Sequence, residues 1–329
     1  MPELYDVAAI GNAIVDVIAP AEDSFLEANG LAKGGMMLVD QAQSKALYAK
    51  MAPGVEASGG SAANTVAGLA SFGGKGAFLG KVADDQLGEV FAHDMRAIGA
   101  RFENTPLVGG LATAACMINV TPDGQRTMCT FLGASTAFTE ADVEAEVIEA
   151  SKIVYLEGYL FDADAARRAF AKAAGLARAS GRMLALTLSD GFVVERHREG
   201  LLGFIETQVD LLFANEVEAK ALFQTDSFDH AAGALRERVK LAAVTRGEHG
   251  SVILTDGERL TVAAEPVEKV VDTTGAGDQY AAGFMFGLSR GRSLQACGKL
   301  ASLAAAEVIS HYGPRPLVSM KDLAVAKGF

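Results

Sequence analysis

The stretch Asp272-Thr273-Thr274-Gly275-Ala276-Gly277-Asp278 decides how the rest of the chain is read. A strand-like run, Val267 to Val271, precedes it, and Gln279 to Leu288 can continue as a helix. A turn of small residues opening a helix leaves backbone N–H groups without intrahelical partners, and the helix dipole adds favourable potential for an anion. The segment therefore predicts a phosphate or oxyanion site. Asp278 falls in the first helical turn beside it, where a carboxylate can accept a proton from an attacking hydroxyl. For an isolated Gly-x-Gly-Asp, a tight turn with an Asp cap is the simpler reading, but this segment is longer and denser than that. It matches neither the Gly-x-x-x-x-Gly-Lys-Ser/Thr phosphate loop nor the Rossmann fingerprint.

Outward from this segment, short apolar runs recur at Val7 to Ile10, Ala77 to Leu79, Ile153 to Leu156, Met183 to Leu186, Leu211 to Phe213 and Ala242 to Val244. Between most of them lie amphipathic stretches such as Ala163 to Arg178 and Glu216 to Phe223. That alternation predicts an α/β fold, a mostly parallel sheet covered by helices on both faces, with ligands beyond the carboxyl ends of the strands. Two regions break it. Met36 to Val39 is a brief apolar run, and Thr113 to Val120 leads through Thr121-Pro122-Asp123-Gly124 into Arg126 to Leu132, which reads as a hairpin. Together they predict a small β-sheet lid from segments near 12–40 and 107–135, inserted in one domain spanning 1–329.

The formal net charge of -12 argues against nucleic acid or anionic membrane as a partner. Cys116, Cys129 and Cys297 are odd in number and far apart, which fits a reducing cytoplasm better than a disulfide framework. Glu3 and Asp6 stand where a secretory signal would be basic and then apolar. The longest uncharged stretch, Asn104 to Pro122, is interrupted by Pro106, Gly109, Gly110, Thr113 and Asn119, so it makes a poor membrane span. A soluble cytoplasmic protein is expected. None of the five histidines sits in a zinc-hydrolase pattern, and no Gly-x-Ser-x-Gly elbow occurs.

Asp272 to Asp278 resembles the C-terminal Asp-Thr-x-Gly-Ala-Gly-Asp motif of the ribokinase-like (PfkB) carbohydrate and nucleoside kinases. The resemblance runs from Gly11 to about Gly313. It implies that Asp278 is the catalytic base, that Gly275, Ala276 and Gly277 hold the transferring phosphoryl group, and that Thr273 lies at the ATP. Gly59-Gly60-Ser61-Ala62-Ala63-Asn64 is similar to the family's sugar-binding Gly-Gly-x-x-x-Asn, although a Gly-Gly before a helix alone is usually packing. Gly80 to Gly88 resembles a further family stretch and reads as structural, with carboxylates that cap the next helix. Asn215 and Glu218 match an element that steadies Mg²⁺ through water, and also read as an ordinary capped helix start. Thr245-Arg246-Gly247-Glu248-His249-Gly250 resembles a loop beside the nucleotide phosphates, with a surface ion pair as the competing role for Arg246.

Gly11-Asn12-Ala13-Ile14-Val15-Asp16 looks most like the adenosine-kinase branch, which implies that Asn12 and Asp16 bind ribose hydroxyls. By the same resemblance Tyr159 stacks on a base, and Arg126 after the lid turn meets the phosphates on closure. Ala62 and Ala63 are closer to the sugar-kinase pattern. The implied activity is transfer of the γ-phosphate of Mg-ATP to a primary hydroxyl, foremost the 5'-hydroxyl of adenosine. A sugar, a sugar acid or another purine nucleoside as acceptor, and a nucleoside-binding sensor without turnover, are the alternatives. Asp272 and Thr274 match positions where many members hold K⁺, and both a monomer and a homodimer stay open.

Overall fold

The computed structural model describes residues 4–329, so Glu3 lies outside the described residues. In chain order the strands are β1 (Tyr5–Ile10), β2 (Ile14–Pro20), β3 (Met36–Leu38), β4 (Val55–Gly59), β5 (Gly76–Leu79), β6 (Ala114–Val120), β7 (Arg126–Phe131), β8 (Ser151–Glu157), β9 (Met183–Thr187), β10 (Leu211–Asn215), β11 (Leu241–Thr245), β12 (Ser251–Thr255) and β13 (Arg259–Val262). Eight of them form one sheet in the order β13-β12-β11-β10-β9-β8-β1-β5. The strands from β5 to β11 pair in parallel, and β12 and β13 add an antiparallel edge.

Alternation along β1 shows why helices cover both faces. Ala8 and Ile10 point into a core that includes Ala166, Ala169, Phe170 and Ala173 of the helix Asp164–Ala179. Val7 and Ala9 point the other way, into a core with Ala62, Ala63 and Val66 of the helix Ser61–Ser71 and Phe284 and Met285 of the helix Ala276–Ser289. A strand buried on both sides reads as a continuous apolar run, which is how all six expected strands appear in the sequence. Each lies within a strand of this sheet, and the helices expected at Ala163 to Arg178 and Glu216 to Phe223 form as Asp164–Ala179 and Glu216–Leu222.

One expected strand is absent. Val267 to Val271 is irregular, and the Val271 N–H donates to the Ile309 carbonyl at 2.8 Å. Pro266 ahead of the run brings no N–H of its own, and the end of the run is bonded to the turn after the helix Leu294–Ile309 rather than to a strand.

The other five strands form a second sheet in the order β3-β7-β6-β2-β4. The hairpin β6–β7 closes through Thr121 N–H on the Gln125 carbonyl and Gly124 N–H on the Thr121 carbonyl, with Gly124 at φ 81. Asp123 Oδ1 accepts from the Thr121 hydroxyl at 2.6 Å, so the turn residues act as the sequence pattern requires. β4 falls outside the two segments expected for this sheet. On one face, Val17, Ala115, Met117 and Cys129 pack against Leu47 of the helix Gln41–Tyr48. The opposite face carries Asp16, Cys116, Ile118, Met128 and Thr130 into the cleft between the sheets. Among the described residues no helix is long and apolar enough to cross a membrane.

Candidate active site

The carboxyl ends of β1, β8, β9, β10 and β11 open into a cleft of about 800 Å³ roofed by the second sheet. Asn12, Glu157, Thr187, Asn215 and Thr245 stand at those strand ends and line it, as expected for a parallel sheet at the point where connections leave β1 in both directions. Thr273 to Asp278 form one wall, at the start of the helix Ala276–Ser289.

Gly275 caps that helix in the left-handed region, with φ 79. A Cβ there would lie 2.6 Å from the Pro314 Cα and carbonyl oxygen, so the position demands glycine on two counts. Gly277 differs: it is exposed, has ordinary φ, and a Cβ would meet nothing within 4 Å. Packing gives no reason for glycine at Gly277.

Asp278 projects from the first turn toward the helix Ser61–Ser71. Its Oδ1 accepts from the Ser61 hydroxyl at 2.6 Å and its Oδ2 from Asn64 Nδ2 at 3.3 Å. Burial pushes its carboxyl up to about 6, against the pull of these two bonds and of the Arg315 charge. Asp16, on β2, is likewise pushed up to about 6 by burial and by the Asp278 charge, opposed by Arg315 and Arg126. Two carboxyls poised near neutrality in one cleft can take up and release protons under ordinary conditions.

Gly60 enters the helix Ser61–Ser71 at φ 92, where a Cβ would sit 2.3 Å from the Asn12 carbonyl oxygen. At Gly59 a Cβ would strike the Asp16 carboxylate at 2.4 Å. The two glycines thus let three chain segments meet around Asp16 and Asn12. Glu157, buried at the end of β8, holds this junction. Its Oε1 accepts from Asn12 Nδ2 at 2.8 Å, and its Oε2 from the Ala62 N–H at 2.9 Å. Burial pushes the Glu157 carboxyl up to about 7 despite these donors. The Asn12 amide is thereby oriented, with one of its two Nδ2 hydrogens on Glu157. Tyr159 follows in the short helix Gly158–Asp162 and lines the cleft; burial and then the charges of Asp190, Glu157, Asp278 and Glu218 raise its phenol.

Asn215 and Glu218 form a reciprocal capping box: the Asn215 N–H and Nδ2 donate to Glu218 at 2.9 and 2.7 Å, and Glu218 N–H donates to Asn215 Oδ1 at 2.8 Å. Burial, together with the Asp190 charge, pushes the Glu218 carboxyl up to about 7. The bonded oxygens keep second lone pairs on the cleft side, which suits contact with a metal through water better than direct ligation. Among the described residues no cluster of three His, Cys, Asp or Glu is arranged to hold a metal, so a Mg²⁺ ion here would draw most of its ligands from polyphosphate and water.

Arg246, Gly247 and Gly250 lie outside the cleft lining. Arg246 Nε donates to Glu216 Oε2 at 2.8 Å, and its guanidinium covers the Phe228 ring at 4.1 Å. The ion pair weighed from sequence is therefore formed. Arg126, the first residue of β7, also stays off the lining and pairs with Asp272 at 2.9 Å, over the Tyr312 ring. Asp272 Oδ1 accepts from the Thr274 N–H and hydroxyl, and its Oδ2 from the Gly313 N–H as well as Arg126. With a guanidinium already on it, this carboxylate does not fit K⁺ as arranged. Asp85, in the Gly80 to Gly88 stretch, caps its helix through the Gly88 N–H and also accepts from Thr113 before β6.

Sequence reasoning passed over Glu157 as a site residue and missed Arg315 altogether. A lone carboxylate closing the apolar run Ile153 to Leu156 was a usable signal for the first. Nothing local marks Arg315, which reaches residues some 250 positions away in the chain.

A profile of the pfkB family carbohydrate kinases matches residues 6–320. An adenosine kinase of Saccharomyces cerevisiae is 27% identical over 330 residues, covering 94% of this chain and 96% of that protein. Among solved structures, adenosine kinase from Sinorhizobium meliloti is 53% identical with a TM-score of 0.92, over 98% of this chain and 99% of that one. A probable sugar kinase from Rhizobium etli is 46% identical with a TM-score of 0.92, over 100% and 99% of the two chains.

Proposed function

The chain belongs to the pfkB family of carbohydrate kinases, and from that membership we propose that it transfers the γ-phosphate of ATP to the 5'-hydroxyl of adenosine, giving AMP and ADP. It is a phosphotransferase acting on a hydroxyl group. The observation that carries the reading is one cleft holding two things: carboxylates suited to a polyol, Asp16 and Asp278, and a glycine-opened helix N-terminus suited to a phosphoryl group. The roof adds the nucleoside. Met36, Leu38, Cys116, Ile118, Met128 and Leu132 present an apolar wall that a purine can cover and that a free sugar, polar all round, cannot satisfy. The likeness to an adenosine kinase at 53% identity supports the same acceptor.

In this reading Asn12, Asp16, Gly59, Gly60 and Asn64 hold the ribose, and Tyr159 borders the base. Asp278 Oδ takes the 5'-hydroxyl proton as the 5'-oxygen bonds to the γ-phosphorus and the bond to the β-phosphate bridging oxygen breaks, leaving ADP. The N–H groups of Gly275 and Gly277, with Thr273 beside them, take the spread negative charge, and the Ala276 N–H, which donates to the Thr273 carbonyl at 3.2 Å, joins them only by sharing its hydrogen. Ser61, which lines the cleft, gives its hydroxyl hydrogen to Asp278 and so steadies that carboxylate, while its oxygen can still accept from the sugar. Mg²⁺ bound to ATP would neutralise phosphate charge, and Asn215 and Glu218 would be the residues to hold it, through water. Closure of the second sheet over the cleft, with Arg126 brought toward the phosphates, excludes water as a competing acceptor. We place the reaction in the cytoplasm, where ATP is supplied.

The sugar-kinase alternative keeps the phosphoryl chemistry, and the Rhizobium etli relative keeps it in view. ADP release measured with Mg-ATP across adenosine, inosine, guanosine, ribose, fructose and 2-keto-3-deoxygluconate separates them. Turnover confined to adenosine bears the proposal out; turnover on a free sugar discards the nucleoside pocket; none on any acceptor favours a sensor.

A further inference from the structure

The loop that follows the helix Leu294–Ile309 reaches back under the cleft, and its Arg315 is where three site segments converge. Arg315 Nη1 donates to Ser58 Oγ at 2.7 Å, at the end of β4, and Arg315 Nε donates to Asn64 Oδ1 at 3.1 Å, in the helix that faces Asp278. The same Asn64 amide donates through Nδ2 to Asp278 Oδ2 at 3.3 Å. An amide has one acceptor end and one donor end, so a guanidinium holding the oxygen leaves the nitrogen aimed at the carboxylate. Arg315 is not part of the cleft lining, so it reaches the reaction only through these neighbours.

We propose that Arg315 is a positioning residue for phosphoryl transfer: its guanidinium fixes the Asn64 amide against Asp278 and supplies the positive charge that lets Asp16 and Asp278 be ionised together. This rests on the reading of Asp278 as the base. The charged and titratable groups around Asp278 make the case for a dedicated cation. Asp16 faces it from β2, Glu157 and Tyr155 from β8, and Tyr159 from the short helix after it, and none of these carries positive charge. Arg126, from β7, acts on Asp16, but its guanidinium is paired with Asp272. Arg315 acts on Asp278 and on Asp16, and also meets the Asp94 charge from the helix Gln86–Ala97. Burial works to lower the proton affinity of Arg315, and the three carboxylates hold it charged. A lysine could supply the charge but not both bonds, because a single ammonium lacks the planar fork that reaches Asn64 and Ser58 at once.

The test uses the full chain as wild type, Arg315→Met and Arg315→Lys. The pH profile of adenosine phosphorylation is measured with saturating Mg-ATP, and the ¹³C carboxyl titration of Asp278 is followed without ligand, assigned by its loss in Asp278→Asn. In Arg315→Met the acid limb of kcat/KM and the carboxyl titration both move up by about one unit or more, with kcat down by about 100-fold. In Arg315→Lys the titration stays near wild type while kcat still falls at least about tenfold, because the Asn64 amide is no longer fixed. An unmoved acid limb and titration in a folded Arg315→Met protein overturn the proposal, whatever happens to kcat. Should Arg315→Met fail to fold, Arg315→Lys decides: wild-type kcat overturns the proposal, and reduced kcat with an unmoved titration supports it. Wild-type protein that phosphorylates no nucleoside overturns the adenosine reading alone, and the ligand-free titration then decides on Arg315.

Discussion

Arg126 and Asp272 form an ion pair at 2.9 Å between the roof hairpin and the glycine turn, with each side chain 9% exposed. Removing one partner of a buried pair leaves the other charge uncompensated. Arg126 also keeps Nε and Nη1 buried without hydrogen-bond partners among the described residues, donors that the proposed closure would offer to a polyphosphate. Arg126→Ala should lower kcat by about 10²- to 10³-fold, in the range found for a lost transition-state donor, and change adenosine affinity far less. Because the guanidinium occupies Asp272, wild-type rates should be equal in KCl and NaCl at the same concentration. A preference for K⁺ should emerge in Arg126→Ala, where Asp272 Oδ2 loses its guanidinium. Strong K⁺ activation of the wild type would show that the ion pair gives way to a cation in the working enzyme.

Asp278→Asn keeps the shape of the site and removes the proton acceptor. Adenosine binding, followed by calorimetry, should stay within a few-fold of wild type, while the rate of ADP release falls by about 10²- to 10⁴-fold. The wild-type kcat/KM should decline below a pH of about 6, where Asp278 and Asp16 take up protons. Near-normal turnover in the variant would remove Asp278 from the role of base.

The same buried carboxyls set a stability trend. Asp16 and Asp278 are raised from 3.8 to about 6, and Glu157 and Glu218 from 4.5 to about 7. A folded state that holds protons more tightly than the unfolded chain is favoured at low pH, and the advantage is lost as pH rises through the folded values. For these four groups, stability therefore declines from about pH 4 to about pH 7. Asp278→Asn should melt higher than wild type at pH 8, by on the order of 1–2 kcal/mol, and show no such gain near pH 4. Melting of the ligand-free proteins at the two pH values checks this; an equal gain at both would mean that ionisation of Asp278 costs the fold nothing.

Sequence reading reached the main sheet because strands buried on both faces announce themselves as apolar runs, and it reached the glycine turn because its composition is rare. It failed where structure depends on distant partners. β4, Val-Glu-Ala-Ser-Gly, alternates over only four residues with an exposed Val55 at its start, too little to mark it, and is a strand because β2 offers an edge. Val267 to Val271 has the composition and pairs with no strand. Asp16, Asn12 and Asn64 were legible as polar residues at strand and helix ends. What orients them was not: Glu157 and Arg315 act across 145 and 251 residues of chain, through bonds that leave no local pattern.

Gly275 and Gly277 sit two residues apart and should respond oppositely to alanine. At Gly275 a methyl group collides with Pro314 at 2.6 Å, in a backbone at φ 79 that L-residues avoid, so Gly275→Ala should lose about 1–3 kcal/mol of stability and melt lower. At Gly277 the methyl meets nothing within 4 Å and the backbone is helical, so Gly277→Ala should fold as well as wild type or better, alanine being favoured in a helix by roughly 0.5–1 kcal/mol. Its methyl would stand on the open side of the turn, where a phosphoryl group has to approach the N–H groups. Turnover should then drop at least about tenfold, with a raised KM for ATP, in a protein that melts normally. Thermal melts without ligand, paired with ADP-release rates, separate the two effects. Wild-type turnover in Gly277→Ala would mean that the anion is held elsewhere than at this helix start.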